Sequence, residues 1–218
     1  PAGANISDIY IIHSVEHPKL NYSQLSDFLI NAESLMVKVS LILTKSDLIP
    51  HDKHVELFKK FTNWGYEPKI LSLTSNDKLR DLIYELKTKK CSIFMGPSGV
   101  GKTTLLNKII PNVNRATSVV SNKIKRGKNT TRNIELFQLS KESYIVDTPG
   151  FNILNNYMKP REIACLFPEF KKQINHNGVS CKFRDCLHID EPGCNLNKTF
   201  ERYKFCLLYT SPSPRDSD

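Results

Sequence analysis

An α/β fold, with a mostly parallel sheet and helices on both faces, is the class this sequence predicts, on three observations. Short apolar runs alternate along the chain with segments of helical spacing. A glycine-rich stretch, GPSGVGKT at 96–103, stands between one such run and one such helix. After Phe151 the apolar runs stop and cysteines crowd into the chain, so a second, smaller unit follows the first.

The runs are IYIIH (9–13), KVSLILT (38–44), KILSL (69–73), CSIFM (91–95), IELFQL (134–139) and SYIVD (143–147). Strands buried on both faces read as near-continuous apolar runs rather than alternating ones, as these do. Helical spacing appears in QLSDFLINAESL (24–35), KLRDLIYELK (78–87) and TTLLNKII (103–110). No internal repeat is visible. The pattern divides the chain into an α/β domain over 1–155, a helical cysteine-bearing module over 156–208 and a tail over 209–218. The closing TSPSPRDSD holds breakers and charges with nothing to bury, so it is expected to be disordered or non-native.

A chain of 218 residues suits one good core plus a small appendage. No apolar run approaches the roughly 18–20 residues that span a bilayer, so a membrane partner is not expected. The first residues lack the basic start and cleavage site of a signal peptide. A chain beginning at Pro1 reads as a fragment whose upstream segments are not seen. The formal net charge of +9 favours an anionic partner. Of six cysteines, Cys181, Cys186 and Cys194 stand together beside His188, which points to metal ligation in a reducing compartment rather than disulfides. Cys165 and Cys206 are expected in the core and Cys91 in strand packing.

The stretch at 96–103 fits G-x-x-x-x-G-K-[ST] in the required place, after a strand and before a helix. Gly96, Pro97, Ser98, Gly99, Val100 and Gly101 form a loop whose backbone N–H groups can face phosphate oxygens. Lys102 supplies a cation to the β and γ phosphates. The Thr103 hydroxyl reaches Mg²⁺, with Thr104 beside it. In YIVDTPGF, Asp147 ends a strand as a second Mg²⁺ residue acting through water, and the Gly150 N–H senses a γ-phosphate. Upstream, the run KVSLILT ends in Thr44-Lys45-Ser46-Asp47. A carboxylate placed there accepts the two hydrogen bonds that guanine offers from N1 and N2, which adenine cannot supply. Lys45 packs its stem along the nucleotide, and Ser72 in KILSLTS lies on a loop able to support the base.

CKFRDCLHIDEPGC gives C-x4-C-x-H-x5-C over Cys181, Cys186, His188 and Cys194. Three thiolates and an imidazole make a closed, structural zinc set. From Lys108 to Arg132 seven basic residues (Lys108, Arg115, Lys123, Lys125, Arg126, Lys128 and Arg132) stand with no acidic one, which suits a phosphate-rich RNA surface.

The base reader thus precedes the phosphate loop, the reverse of the usual order. Joining the old termini and reopening the chain elsewhere preserves the same sheet and site. This order, with DTPGF and the cysteine cluster following, resembles the circularly permuted GTPases of the RsgA (YjeQ) family over about Asn5 to Tyr203. The resemblance implies a GTPase, taking GTP/GDP, Mg²⁺ and one structural Zn²⁺, that assists late assembly of the small ribosomal subunit and meets its rRNA. It implies a monomer in the bacterial cytoplasm, or in an organellar stroma or matrix, and an amino-terminal OB-fold domain missing here. The family's switch I appears as RGKNTTR (126–132), with Thr130 or Thr131 closing on Mg²⁺. Asn129 stands where the family usually has histidine, Thr44 where GTPases commonly have asparagine, and Phe151 where many carry glutamine. Slow unassisted hydrolysis follows from the first and third. Because the permutation sets switch II just before the metal module, nucleotide state has a short route into it. An RNA-binding zinc protein that uses GTP only as a passive sensor is the alternative, and Asp47 argues against an ATPase or kinase.

Overall fold

The computed structural model describes residues 6–75, 77–110, 135–147, 158, 160–178, 180–184, 186–188, 191–196 and 202. In chain order the elements are β1 (Asp8–Ser14), α1 (Tyr22–Glu33), β2 (Lys38–Thr44), α2 (His51–Asn63), β3 (Lys69–Ile70), α3 (Asp77–Lys87) and β4 (Cys91–Met95). After these come α4 (Lys102–Ile109), β5 (Glu135–Gln138), β6 (Tyr144–Asp147), α5 (Pro160–Ala164) and α6 (Pro168–Asn177). A single 3₁₀ turn over Ser46–Leu48 joins β2 to α2.

The six strands form one sheet in the order β3-β2-β1-β4-β6-β5. All pairs are parallel except β5 with β6. Register sets Ile9 against both Val39 and Ile93, and Phe94 against Asp147. The two-residue period of the strands then divides the core. Ile9, Ile11, Leu41, Leu43, Ile93 and Met95 pack under α1 and α2 with Leu25, Leu29, Phe61 and Trp64. Tyr10, Ile12, Ile42 and Phe94 pack on the opposite face under α3 and α4 with Leu82, Leu86, Leu105 and Ile109. Every residue of β1 is buried, as a central parallel strand requires.

Strand order reverses between β1 and β4. Open parallel sheets place their ligand crevice at the carboxyl ends of strands flanking such a reversal. The loops after β1, β2 and β4 therefore face one edge together, with the carboxyl end of β6 beside them.

Two expectations are corrected. The run at 69–73 gives a strand of only Lys69–Ile70. The Leu71 N–H still donates to the Leu43 carbonyl (2.8 Å), after which the chain bends so that Ser72 can reach Asp47. Cys165 is exposed rather than in the core. Ala164, Leu166 and Phe167 take the buried positions on either side of it.

A third apolar cluster joins Leu166, Phe167, Phe170 and Leu196 to Ile30 on α1. The cysteine-bearing segment thus leans on the outer side of the α1 layer. Among the described residues, no helix is long and apolar enough to cross a membrane.

Candidate nucleotide site and metal centre

The loop after β4 returns close beneath β1. Gly96 has φ +153°, and a Cβ there would run into the Ile12 carbonyl oxygen, so glycine is required at that crossing. Lys102 opens α4 and is buried, its Nζ donating to the Gly96 and Pro97 carbonyls, both at 2.7 Å. Burial pushes the Lys102 ammonium down from its ordinary value, and the Asp147 carboxylate pulls it back. Asp147 ends β6, and burial pushes its carboxyl up while Lys102 opposes that shift. Its Oδ1 is buried without a hydrogen-bond partner. A buried, unsatisfied carboxylate oxygen is costly unless a cation or donor meets it, so the site fits a divalent ion. Thr103 and Thr104 are exposed in the first turn of α4.

The loop after β2 sits beside it. Thr44 is fully buried, its Oγ1 donating to the Val100 carbonyl at 2.5 Å and lying 3.3 Å from the His13 carbonyl. This one hydroxyl fastens the end of β2 to the glycine-rich loop. Lys45 adopts a left-handed backbone (φ +59°) and donates from Nζ to the Gly99 carbonyl (2.9 Å) and the His17 carbonyl. Asp47 is exposed, and the Ser72 hydroxyl donates to its Oδ1 at 2.7 Å. The Ser46 N–H donates to the Leu71 carbonyl at 3.2 Å, tying the two loops a second time. Asp47, Ser72, Lys45 and the 96–102 loop therefore share one edge of the sheet.

Two groups in this edge escape sequence reasoning. His54, in the first turn of α2, donates from Nε2 to the Ser46 carbonyl at 2.8 Å and braces the turn that carries Asp47. The loop after β1 supplies the His17 carbonyl to Lys45, and a Cβ on Gly99 would sit 3.6 Å from Pro18 Cδ. Neither belongs to a motif, and only the fold brings them near. Thr130, Thr131, Gly150, Asn129 and Phe151 lie outside the described residues, as do Arg115, Lys123, Lys125, Arg126, Lys128 and Arg132 of the basic run.

The second constellation is the cysteine cluster. The ligand atoms of Cys181, Cys186, His188 and Cys194 all lie within 4.8 Å of one another. Cys181 Sγ stands 3.9 Å from Cys194 Sγ and 3.5 Å from His188 Nδ1, and Cys194 Sγ stands 3.7 Å from the same nitrogen. Zn–S bonds of about 2.3 Å and Zn–N bonds of about 2.0 Å place tetrahedral edges at roughly 3.5–3.8 Å. A disulfide would need about 2.05 Å. The set therefore fits zinc in number, chemistry and spacing. Burial pushes the Cys186 thiol up, and the neighbouring Cys194 and Cys181 push it the same way. Glu191 holds the loop in shape, accepting from the Leu187 N–H at 2.8 Å. The Phe170 ring meets the His188 ring edge-on at 5.1 Å, joining the centre to α6.

A six-stranded sheet of this order, with the glycine-rich loop after its fourth strand in sequence, defines the class: a circularly permuted GTPase fold. The family model described as RsgA GTPase matches residues 2–156, and the chain belongs to that family. It is 43% identical over 205 residues to a small ribosomal subunit biogenesis GTPase RsgA of Prochlorococcus marinus (strain NATL1A), covering 94% of this chain and 65% of that one. A protein of the same name from Synechococcus sp. (strain CC9605) is 39% identical over 203 residues, with 93% and 66% covered. The chain thus spans a little under two thirds of the length of these curated relatives. Among solved structures, YjeQ from Thermotoga maritima superposes with a TM-score of 0.71 at 27% identity, over 96% of this chain and 73% of that one. YloQ, described as a circularly permuted GTPase, gives 0.70 at 27% identity, over 94% and 67%.

Proposed function

We propose that this chain binds GTP, hydrolyses it to GDP and phosphate, and acts in late maturation of the small ribosomal subunit, in contact with its rRNA. The observation that carries the reading is the shared edge on which the Asp47–Ser72 pair stands beside the 96–102 loop, joined by the Thr44–Val100 hydrogen bond. Asp47 accepts from the guanine edge, while Ser72 holds one carboxylate oxygen so that the group keeps its direction. Lys45 lines the nucleotide, and the backbone from Gly96 to Gly101 cradles phosphates at the N-terminus of α4. Lys102 exchanges its two carbonyl acceptors for β and γ phosphate oxygens, where its charge counts most as negative charge moves during transfer. Thr103 and Asp147 hold Mg²⁺, which neutralises the phosphates when bound. Thr130, Thr131 and Gly150 take the switch roles that family membership suggests. Cys181, Cys186, His188 and Cys194 hold one structural zinc. The relatives bear a ribosome-assembly name and are bacterial, which supports the small subunit as partner and a cytoplasmic place of work; the factor acts as a monomer.

Neither Asn129 nor Phe151 can take a proton from water, so unassisted hydrolysis is slow. A docked small subunit is expected to raise single-turnover phosphate release by roughly 10²–10⁴-fold, the usual size of a supplied base or an aligned water. Release measured with and without subunits tests this. Equal rates would replace the enzyme by a passive GTP sensor on RNA.

Asp47→Asn is expected to weaken GTP binding by roughly 10–150-fold, the loss of a charged hydrogen-bonding group. It should favour xanthosine triphosphate instead, whose C2 carbonyl suits an amide donor. Titration of both nucleotides against both proteins checks the pair of shifts, and unchanged GTP affinity would remove Asp47 as the base reader.

A further inference from the structure

Between the metal ligands Cys181 and Cys186 the chain presents Lys182, Phe183 and Arg184, all exposed. Phe183 leaves 50% of its surface in solvent, whereas Phe61, Phe94, Phe137, Phe167 and Phe170 are at 2% or less. Among the described residues, the aromatics Phe58 and Tyr84 are also exposed, but each stands on the outer side of a helix. Phe183 differs in lying between two members of the cysteine–histidine cluster, with Lys182 before it and Arg184 after it in the chain. The Lys182 N–H donates to the Gly193 carbonyl at 3.0 Å, pinning this loop to the other arm of the metal centre. Gly193 has φ +82°, and a Cβ there would come within 2.8 Å of Lys182 Cβ, so the two arms pack backbone against stem. The Lys182 ammonium lies over the Phe183 ring, 5.6 Å from its centroid.

A half-exposed ring with a lysine and an arginine as its chain neighbours offers an apolar face close to positive charge. It matches the chemistry of an unpaired nucleotide, whose base has a flat face to stack and whose phosphates are anionic. We propose that Lys182, Phe183 and Arg184 form a stacking platform for one unpaired nucleotide of single-stranded RNA. The base lies on Phe183, and Lys182 and Arg184 neutralise the flanking phosphates. This deepens the rRNA contact proposed above and rests on that reading for its setting in the ribosome. The formal net charge of +9 agrees with an anionic partner.

The test uses the zinc-loaded full chain with a twelve-nucleotide oligouridine and an RNA duplex of equal length. The parent is expected to prefer the single strand. Phe183→Ala should weaken single-strand binding by about 5- to 150-fold, the range for one stacked base, and leave duplex binding unchanged. Phe183→Trp should bind and show tryptophan quenching by oligouridine beyond that of the parent, whose Trp64, 3% exposed, is shielded from contact with the bases. Lys182→Ala with Arg184→Ala should flatten the salt dependence by roughly 0.7 per lost phosphate contact. Zinc content of each variant confirms an intact loop, and Phe183→Trp keeps the test open should the alanine variant lose metal. No parent binding to oligouridine, equal binding by Phe183→Ala, or no quenching in Phe183→Trp would overturn the platform. So would weakened association with small subunits alone, which would assign the ring to a protein surface. Phosphate release with subunits is read separately, so failure of the GTPase reading shows there while oligouridine binding persists.

Discussion

Stripping the metal, by chelator or by Cys186→Ser, is expected to unfold the chain after residue 158 while sparing GTP binding. Among the described residues, the apolar cluster of the C-terminal segment is small: it contains Leu166, Phe167, Phe170 and Leu196, and draws Ile30 from α1. Four buried side chains contribute on the order of 1.5–3 kcal/mol each at best, which does not match the entropy of ordering a segment of this length. Apparent zinc binding energies in small metal modules are about 10–16 kcal/mol, and that energy is folding energy. The nucleotide edge rests on a different core, under both faces of the sheet. Trp64, the only tryptophan, reports the transition: it is 3% exposed, and the Arg202 guanidinium lies 5.8 Å from its ring. Loss of zinc should shift its emission to the red and release amide protection after residue 158, with GTP affinity within about twofold of the holo protein. Unchanged emission and protection in metal-free protein would show that the segment folds without the cation.

How much of this could be read in the residues differs from one part to the next. The sheet was legible because buried parallel strands leave apolar runs that no exposed element needs, and five of the six runs became strands of similar length. The glycine-rich loop was legible because its backbone geometry restricts residue type directly. Helix α2 left a weaker trace: of its thirteen residues only Leu57 and Phe61 are buried, and five of the others are charged. The cysteine–histidine cluster was legible from spacing, since its four residues stand in one short stretch and their ligand atoms lie within 4.8 Å of one another. His54 was not, because its partner is a backbone carbonyl eight residues away, and any residue can supply a carbonyl. Thr44 was read as part of the base-reading tetrapeptide, yet its hydroxyl is spent on Val100, 56 residues further along the chain. Contacts of that kind are set by tertiary structure, and sequence periodicity does not encode them.

Arg202 is the strongest case of the same kind. An arginine in a sequence reads as surface, yet this one is 0% exposed. Its Nε donates to Ser26 Oγ at 3.1 Å, and its Nη1 lies 3.3 Å from both the Tyr66 hydroxyl and Glu169 Oε2. The guanidinium carbon sits 5.0 Å from the Phe167 ring centroid and 5.3 Å from that of Tyr66. One side chain thus joins α1, the turn after α2 and α6, fastening the cysteine-bearing segment to the α1–α2 layer. Arg202→Met is expected to cost about 3–5 kcal/mol of that attachment, because it leaves the Glu169 carboxylate buried without its cation. Arg202→Met with Glu169→Leu should recover most of the loss, since an apolar pair of similar volume has no charge to desolvate. Burial already pushes the Glu169 carboxyl above its ordinary value of 4.5, with Arg202 pulling it down, so the single variant raises it further. A carboxyl whose folded-state value is raised penalises folding only where it is ionised in the unfolded chain. The deficit of Arg202→Met should therefore be full above the raised value and shrink as pH falls toward the ordinary one. Urea melts followed by Trp64 emission, at several pH values, read all three proteins. A single variant as stable as the parent, or a double variant no better than the single, would show that the ion pair does not carry the attachment.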